Sequence, residues 1–184
     1  MSNAVTIFRQ LHVNTTPLRL PNAWDAGSAR LFENLGAMAI ATTSAGMAWA
    51  LGYRDGRQLV IDEVVAAAAR MTRVLTIPLS FDIENGYSDN PKTVADNVMR
   101  LVDLGIAGIN IEDGSDTATL LTSKIEAIRD AVAKANTDLF VNARSDVFLA
   151  NLAEEGKRVE ESIARGRLYA AAGRWLLPAG NCET

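Results

Sequence analysis

Cysteine is almost absent from this chain: Cys182 is the single one in 184 residues. No internal disulfide can form, which fits a reducing compartment and sets a cytoplasmic expectation. Nowhere do about 18 apolar residues run without interruption, so no membrane span is expected. No secretory leader is expected either, because Val5, Ile7, Phe8 and Leu11, with Arg9 among them, read as a short amphipathic helix. Basic clusters are lacking and the net charge is -4, which argues against nucleic acid as a partner. No G-x-G-x-x-G or G-x-x-x-x-G-K-[ST] pattern follows any apolar run, so a phosphate-binding doubly wound module is the weakest of the functional classes open here. Linkers, low-complexity segments and charge runs are missing too, and residues 1–184 are expected to form one domain.

What the chain does have is alternation. Strand-like apolar runs at 18–23, 38–43, 76–81, 108–111 and 139–143 are separated or followed by helical patterns at 28–35, 61–74, 93–104, 123–134 and 159–171. Asn90-Pro91 supplies an N-cap and a proline at the first helical position. Leu35-Gly36, Leu104-Gly105 and Ala172-Gly173 place glycine just beyond a helix. An open doubly wound sheet and a (β/α)8 barrel share this pattern. Polar residues gather at the ends of the runs, at 22–25, 42–46, 82–84, 110–113 and 142–146. A barrel brings every such end to one site, whereas an open sheet uses only those beside a switch point, so a (β/α)8 TIM barrel is favoured.

Two of these ends are acidic. In Asp82-Ile83-Glu84 alternate positions point two carboxylates the same way, and Asn110-Ile111-Glu112-Asp113 repeats the arrangement. Close carboxylates repel unless protonated or bridged by a cation, and hard oxygen ligands suit Mg²⁺, with Mn²⁺ as an alternative. Asp82, Glu84 and Glu112 are therefore candidate metal ligands. Each feature has a plainer reading: acids at solvated strand ends or helix caps, Arg144 as a surface ion-pair residue, and Thr43-Ser44-Ala45-Gly46 as a turn. Trp24 and Trp49 are expected to pack at the barrel end, and His12, outside every motif, to lie on a helix surface.

The motifs 20–29, 42–46, 51–56, 82–87, 110–113 and 142–146, in that order, resemble the isocitrate lyase/phosphoenolpyruvate mutase superfamily, in particular its phosphonomutase-like and methylisocitrate-lyase-like branch. The resemblance covers about residues 18 to 172. It implies a Mg²⁺-dependent enzyme that makes or breaks a C–C or P–C bond next to the carbonyl of a small 2-oxo acid, resembling oxaloacetate or phosphonopyruvate. By position, Asp82 holds the metal, with Glu84 and Glu112 acting directly or through water. Backbone amides around Thr43, Ser44 and Ala45 take the substrate carboxylate, Asn110 and Arg144 contact substrate, and Asp55 completes the catalytic set with Arg144. Full-length relatives are implied to be dimers or tetramers. Lyases of the isocitrate type carry a cysteine-containing lid after the fourth strand; no cysteine follows either acidic strand here, which turns the expectation away from isocitrate or methylisocitrate cleavage.

A complete barrel needs eight strands and about 250 residues, so this chain is expected to supply only the first five to six βα units, with unpaired edges and an exposed apolar interior. A catalytically inactive truncated fragment is the alternative reading. Family members typically read Ala-Gly-Ala-Asp-Gly before the sixth strand, whereas Ala172-Gly173-Arg174-Trp175 stands here. Codons GCC GAT GGC entered at the third base give CGA TGG, Arg-Trp, so a frameshift near Gly173 is one hypothesis; a natural short variant, or a diverged strand at Trp175–Leu177, is the other. Translation of the neighbouring frame decides, and a frame without sixth-strand sequence rejects the frameshift.

Overall fold

The computed structural model describes residues 3–173. Five parallel strands, β1 (Asn22–Ala23), β2 (Ile40–Thr42), β3 (Leu79–Asp82), β4 (Gly108–Glu112) and β5 (Phe140–Arg144), form one sheet in the order β1-β2-β3-β4-β5. Every strand lies beside its sequence neighbour, so the sheet has no switch point. Helices α1 (Asn3–His12), α2 (Ala26–Asn34), α3 (Ser44–Ala50), α4 (Ile61–Thr72), α5 (Pro91–Val102), α6 (Ala118–Lys134) and α7 (Arg158–Ala172) complete the fold, with a 3₁₀ turn at Glu155–Lys157. The packing of α2 on α4, α4 on α5, α5 on α6 and α6 on α7 follows chain order as well. This is the wall of a (β/α)8 barrel over its first five strands.

Local chemistry starts the helices where they start. The Asp25 side chain accepts from Ser28 N–H at 2.6 Å while the Ser28 hydroxyl takes the Asp25 amide, a reciprocal cap for α2. Asn90 caps α5 through the amides of Lys92 and Thr93, with Pro91 at the first position. Thr117 caps α6, which therefore begins five residues before the expected Ser123. The buried stripe of α6, Leu121, Ile125, Ile128 and Val132, recurs at helical spacing. Each such side chain contributes about 1.5–3 kcal/mol on burial.

β1 is the largest departure from the expected strands. Only Asn22 and Ala23 pair with β2; Leu18 and Leu20 instead pack on a small cluster of Phe8, Ala39, Ala107 and Phe140. Those last three residues lie at or just before the starts of β2, β4 and β5, so α1 closes the floor of the sheet with Phe8. His12 is not on an open helix surface: its ring stacks on Phe140 at 4.5 Å and Nδ1 lies 2.7 Å from the Phe8 carbonyl oxygen. Trp24 and Trp49, expected to be packed, are 44% and 69% exposed. Trp175–Leu177 lies outside the described residues.

The loop after β3 carries strain. Glu84, Gly86 and Tyr87 all have left-handed backbones, at φ 49°, 90° and 60°. A Cβ on Gly86 would meet Val94 Cγ1 at 2.5 Å and Cβ at 3.2 Å. Gly86→Ala is expected to cost about 1–3 kcal/mol from overpacking, more with the backbone strain, read as a lowered midpoint in urea with an unchanged slope. An unchanged midpoint would show that the loop adapts.

Candidate active site

The carboxyl ends of β3, β4 and β5 present polar side chains in two rows, because the strands are in register and side chains two apart share a face. Asp82 pairs with Asn110 and Asn110 with Asn142 in the first row. One step further toward the carboxyl ends, Glu112 pairs with Arg144, and the Glu112 amide bonds to the Glu84 carbonyl. The interior that the first row borders, about 320 Å³, is lined by Thr42, Ser80, Asp82, Asn110, Asn142 and Arg144, with Phe8, Leu20 and Phe140 among its apolar contacts. The expected exposed apolar interior is therefore mostly polar above an aromatic floor.

Of the three candidate metal ligands, Asp82 accepts the most hydrogen bonds. Its Oδ1 accepts from the Glu84 amide at 3.1 Å and Asn110 Nδ2 at 3.3 Å, and its Oδ2 from the Ser44 amide at 3.3 Å. Its own amide donates to Thr42 Oγ1 at 2.8 Å, tying β3 to β2. Glu84, also buried, accepts from the Arg57 amide at 2.5 Å. Burial raises the Glu84 pKa above the ordinary value, that amide pulls it back, and the charges of Asp55 and Asp82 push it up again. Asp55 itself is exposed on the loop between α3 and α4, within electrostatic reach of Glu84.

Glu112 forms an ion pair with Arg144. Burial nevertheless outweighs the guanidinium and, with the carboxylates of Asp82, Asp146 and Glu84, pushes Glu112 up to about 7. The pKa of the Tyr87 hydroxyl is raised by burial and by the charges of Glu84, Asp82 and Glu112. Arg144 Nε and Nη2 grip Asp146 at 2.7 and 3.1 Å, which fixes the plane of the guanidinium. Asp146 was not singled out from the sequence, although Arg-x-Asp at a strand end is the spacing that lets one side chain orient the other.

Two expectations change in detail. Thr43, Ser44 and Ala45 do not sit in a free turn: Thr43 caps the short helix α3 through Gly46 N–H, and Ser44 and Ala45 open that helix. The Thr43 amide is taken by the Ala23 carbonyl and the Ser44 amide by Asp82, so two of the three amides expected to receive a substrate carboxylate already have partners. The acids, moreover, do not form a closed cage. Among the described residues no group of three or more His, Cys, Asp or Glu side chains could hold a metal ion. What fits instead is an ion held through few side chains and retained water, the usual habit of Mg²⁺, in a site where the charge of Asp82 helps raise the proton affinity of Glu84 and Glu112. Residues 113–117 run directly from β4 into α6 without cysteine, so no lid intervenes there.

The sequence model of phosphoenolpyruvate phosphomutase matches residues 8–177. The chain belongs to the phosphoenolpyruvate phosphomutase family. It is 40% identical over 141 residues to an uncharacterized protein of Mycobacterium tuberculosis, covering 77% of this chain and 53% of that protein. With 2-methylisocitrate lyase of Escherichia coli it shares 31% identity over 182 residues, 92% of this chain and 60% of the lyase. The crystal structure of phosphoenolpyruvate phosphomutase from Streptomyces platensis subsp. rosaceus superposes with a TM-score of 0.82 at 26% identity, covering 93% of this chain and 62% of that one. The chain thus spans little more than half to three-fifths of the curated relatives' length, and its five strands are part of the family's barrel. No helix among the described residues is long and apolar enough to cross a membrane.

Proposed function

We propose that this chain carries the acidic half of an enzyme site that makes or breaks a C–C or P–C bond beside the carbonyl of a small 2-oxo acid, with Mg²⁺ or Mn²⁺ as cofactor. The supporting observation is the convergence of Asp82, Glu84 and Glu112 at the carboxyl ends of β3 and β4, with Arg144 as the cation paired among them. Asp82 would hold the ion, with Glu84 and Glu112 reaching it through water. When bound, a divalent cation polarises the carbonyl and stabilises the negative charge that develops as the adjacent bond opens. Arg144, its plane set by Asp146, binds a carboxylate or phosphonate group in this reading. Thr43, Ser44 and Ala45 at the start of α3, with the Asn110 side chain, border the substrate position in this reading, and Asp55 approaches it from the loop before α4.

The missing cysteine lid favours oxaloacetate-like or phosphonopyruvate-like substrates over isocitrate-type ones. The test is turnover of oxaloacetate and phosphonopyruvate by the purified chain, abolished by EDTA and restored by Mg²⁺ or Mn²⁺. A folded chain without turnover on either supports the second reading, a fragment that retains the acids and lacks the activity. That reading is favoured by the 53% and 60% shares of its relatives that the chain spans.

Glu112 gives this proposal a pH signature. A carboxyl whose folded pKa is about 7 holds a proton more tightly folded than unfolded. Its contribution to stability is complete below the ordinary value of 4.5 and is lost as pH rises through about 7. A cation competes with that proton, so Mn²⁺ affinity is expected to rise as pH passes from 6 to 8, and less so in Glu112→Gln. Isothermal titration at the two pH values measures it; equal affinities in the parent protein would contradict the assignment of Glu112.

A further inference from the structure

The first polar row has a direction. Asn142 Nδ2 donates to Asn110 Oδ1 at 2.7 Å, and Asn110 Nδ2 donates to Asp82 Oδ1 at 3.3 Å. An ionised carboxylate only accepts, so Asp82 forces Asn110 to turn its amino group toward β3. The Asn110 oxygen then faces β5, and Asn142 must answer with its own amino group. The order follows from the carboxylate and from the register Asp82↔Asn110↔Asn142 across three adjacent strands.

We propose that Asn110 and Asn142 are positioning residues for Asp82: a two-amide relay that holds Oδ1 and so aims the carboxylate for a divalent cation. The proposal rests on the reading of Asp82 as the metal-holding acid, and it gives Asn110 a role other than direct substrate contact. Outer partners of a ligating carboxylate typically change metal affinity 10- to 100-fold when removed. Asn142 is two bonds away from the carboxylate, so its effect must pass through Asn110. Its side chain is exposed at the interior, and its replacement leaves no buried group of its own unpaired.

Mn²⁺ binding without substrate, followed by electron paramagnetic resonance of the free ion, tests this in the purified chain, with a thermal melt confirming that each variant folds. Asn142→Ala is expected to weaken Mn²⁺ binding about 10-fold. In the Asn110→Ala background the same substitution is expected to do nothing further, because the relay is already cut. Unchanged affinity in Asn142→Ala overturns the relay, as do losses that add in the double variant. Asp82→Asn separates the underlying reading from the relay. If it binds Mn²⁺ like the parent protein, the metal assignment fails and the proposal with it; if it loses binding while Asn142→Ala does not, the relay alone fails.

Discussion

On the proposed metal-dependent reading, Asp82→Ala is expected to abolish divalent-cation binding and to lower kcat/KM on the order of 10³-fold, equivalent to about 4 kcal/mol of transition-state stabilisation. The geometry explains why this acid should outweigh its neighbours. Asp82 is fixed from three directions, by the Glu84 amide, the Ser44 amide and Asn110, whereas Glu112 is paired with Arg144 and Glu84 with the Arg57 amide. Removing Glu84 or Glu112 leaves Asp82 in place; removing Asp82 frees donors on β4 and α3 as well. Isothermal titration with Mn²⁺ and an oxaloacetate assay on one preparation check it. Retained binding with lost turnover would move Asp82 from ion holding to substrate chemistry, and retention of both would remove it from the site.

Much of this arrangement is legible along the chain because its period is two. Asp82/Glu84, Asn110/Glu112 and Asn142/Arg144 each place polar residues at alternate positions at the end of an apolar run, and parallel pairing brings them into two rows. The helices with strong apolar spacing are legible for the same reason. Helix α3 is not, since Ser44-Ala45-Gly46 shows no apolar period and reads as a turn; its signal is Thr43, a residue suited to an N-cap. At Leu18–Pro21 an apolar run misleads in the opposite sense. Those leucines are apolar because they pack near Phe8, and Pro21 has no N–H to give a ladder. His12 has no motif because its environment is supplied by Phe140, more than a hundred residues away. Partners 32 to 56 residues further along the chain likewise hide the role of Asp113, which looks locally like the second acid of a strand end.

Asp113→Ala is expected to be strongly destabilising, costing about 3–5 kcal/mol of a total stability on the order of 5–15. The carboxylate is fully buried and its Oδ2 accepts from Tyr169 Oη at 2.6 Å, Arg165 Nη1 at 2.9 Å and Ser145 Oγ at 3.0 Å. Its Oδ1 accepts from the Asp146 amide at 2.7 Å. These bonds tie α7 to the ends of β4 and β5 and hold the backbone of the residue that orients Arg144. Truncation leaves a guanidinium that is 11% exposed without its buried carboxylate. Tyr169→Phe removes one donor and keeps the packing, so about 1–2 kcal/mol is expected there. Burial alone would raise the Asp113 pKa, but the hydrogen bonds from Tyr169, Asp146, Arg165 and Ser145 bring it below the ordinary 3.8. The stabilisation is therefore present above that value and lost as pH falls through the lower folded pKa. Urea unfolding at pH 7 and at pH 3 is expected to separate the parent protein from Asp113→Asn by more at pH 7, the gap narrowing in acid. A gap that does not depend on pH would show that shape, not charge, holds α7 to the strands.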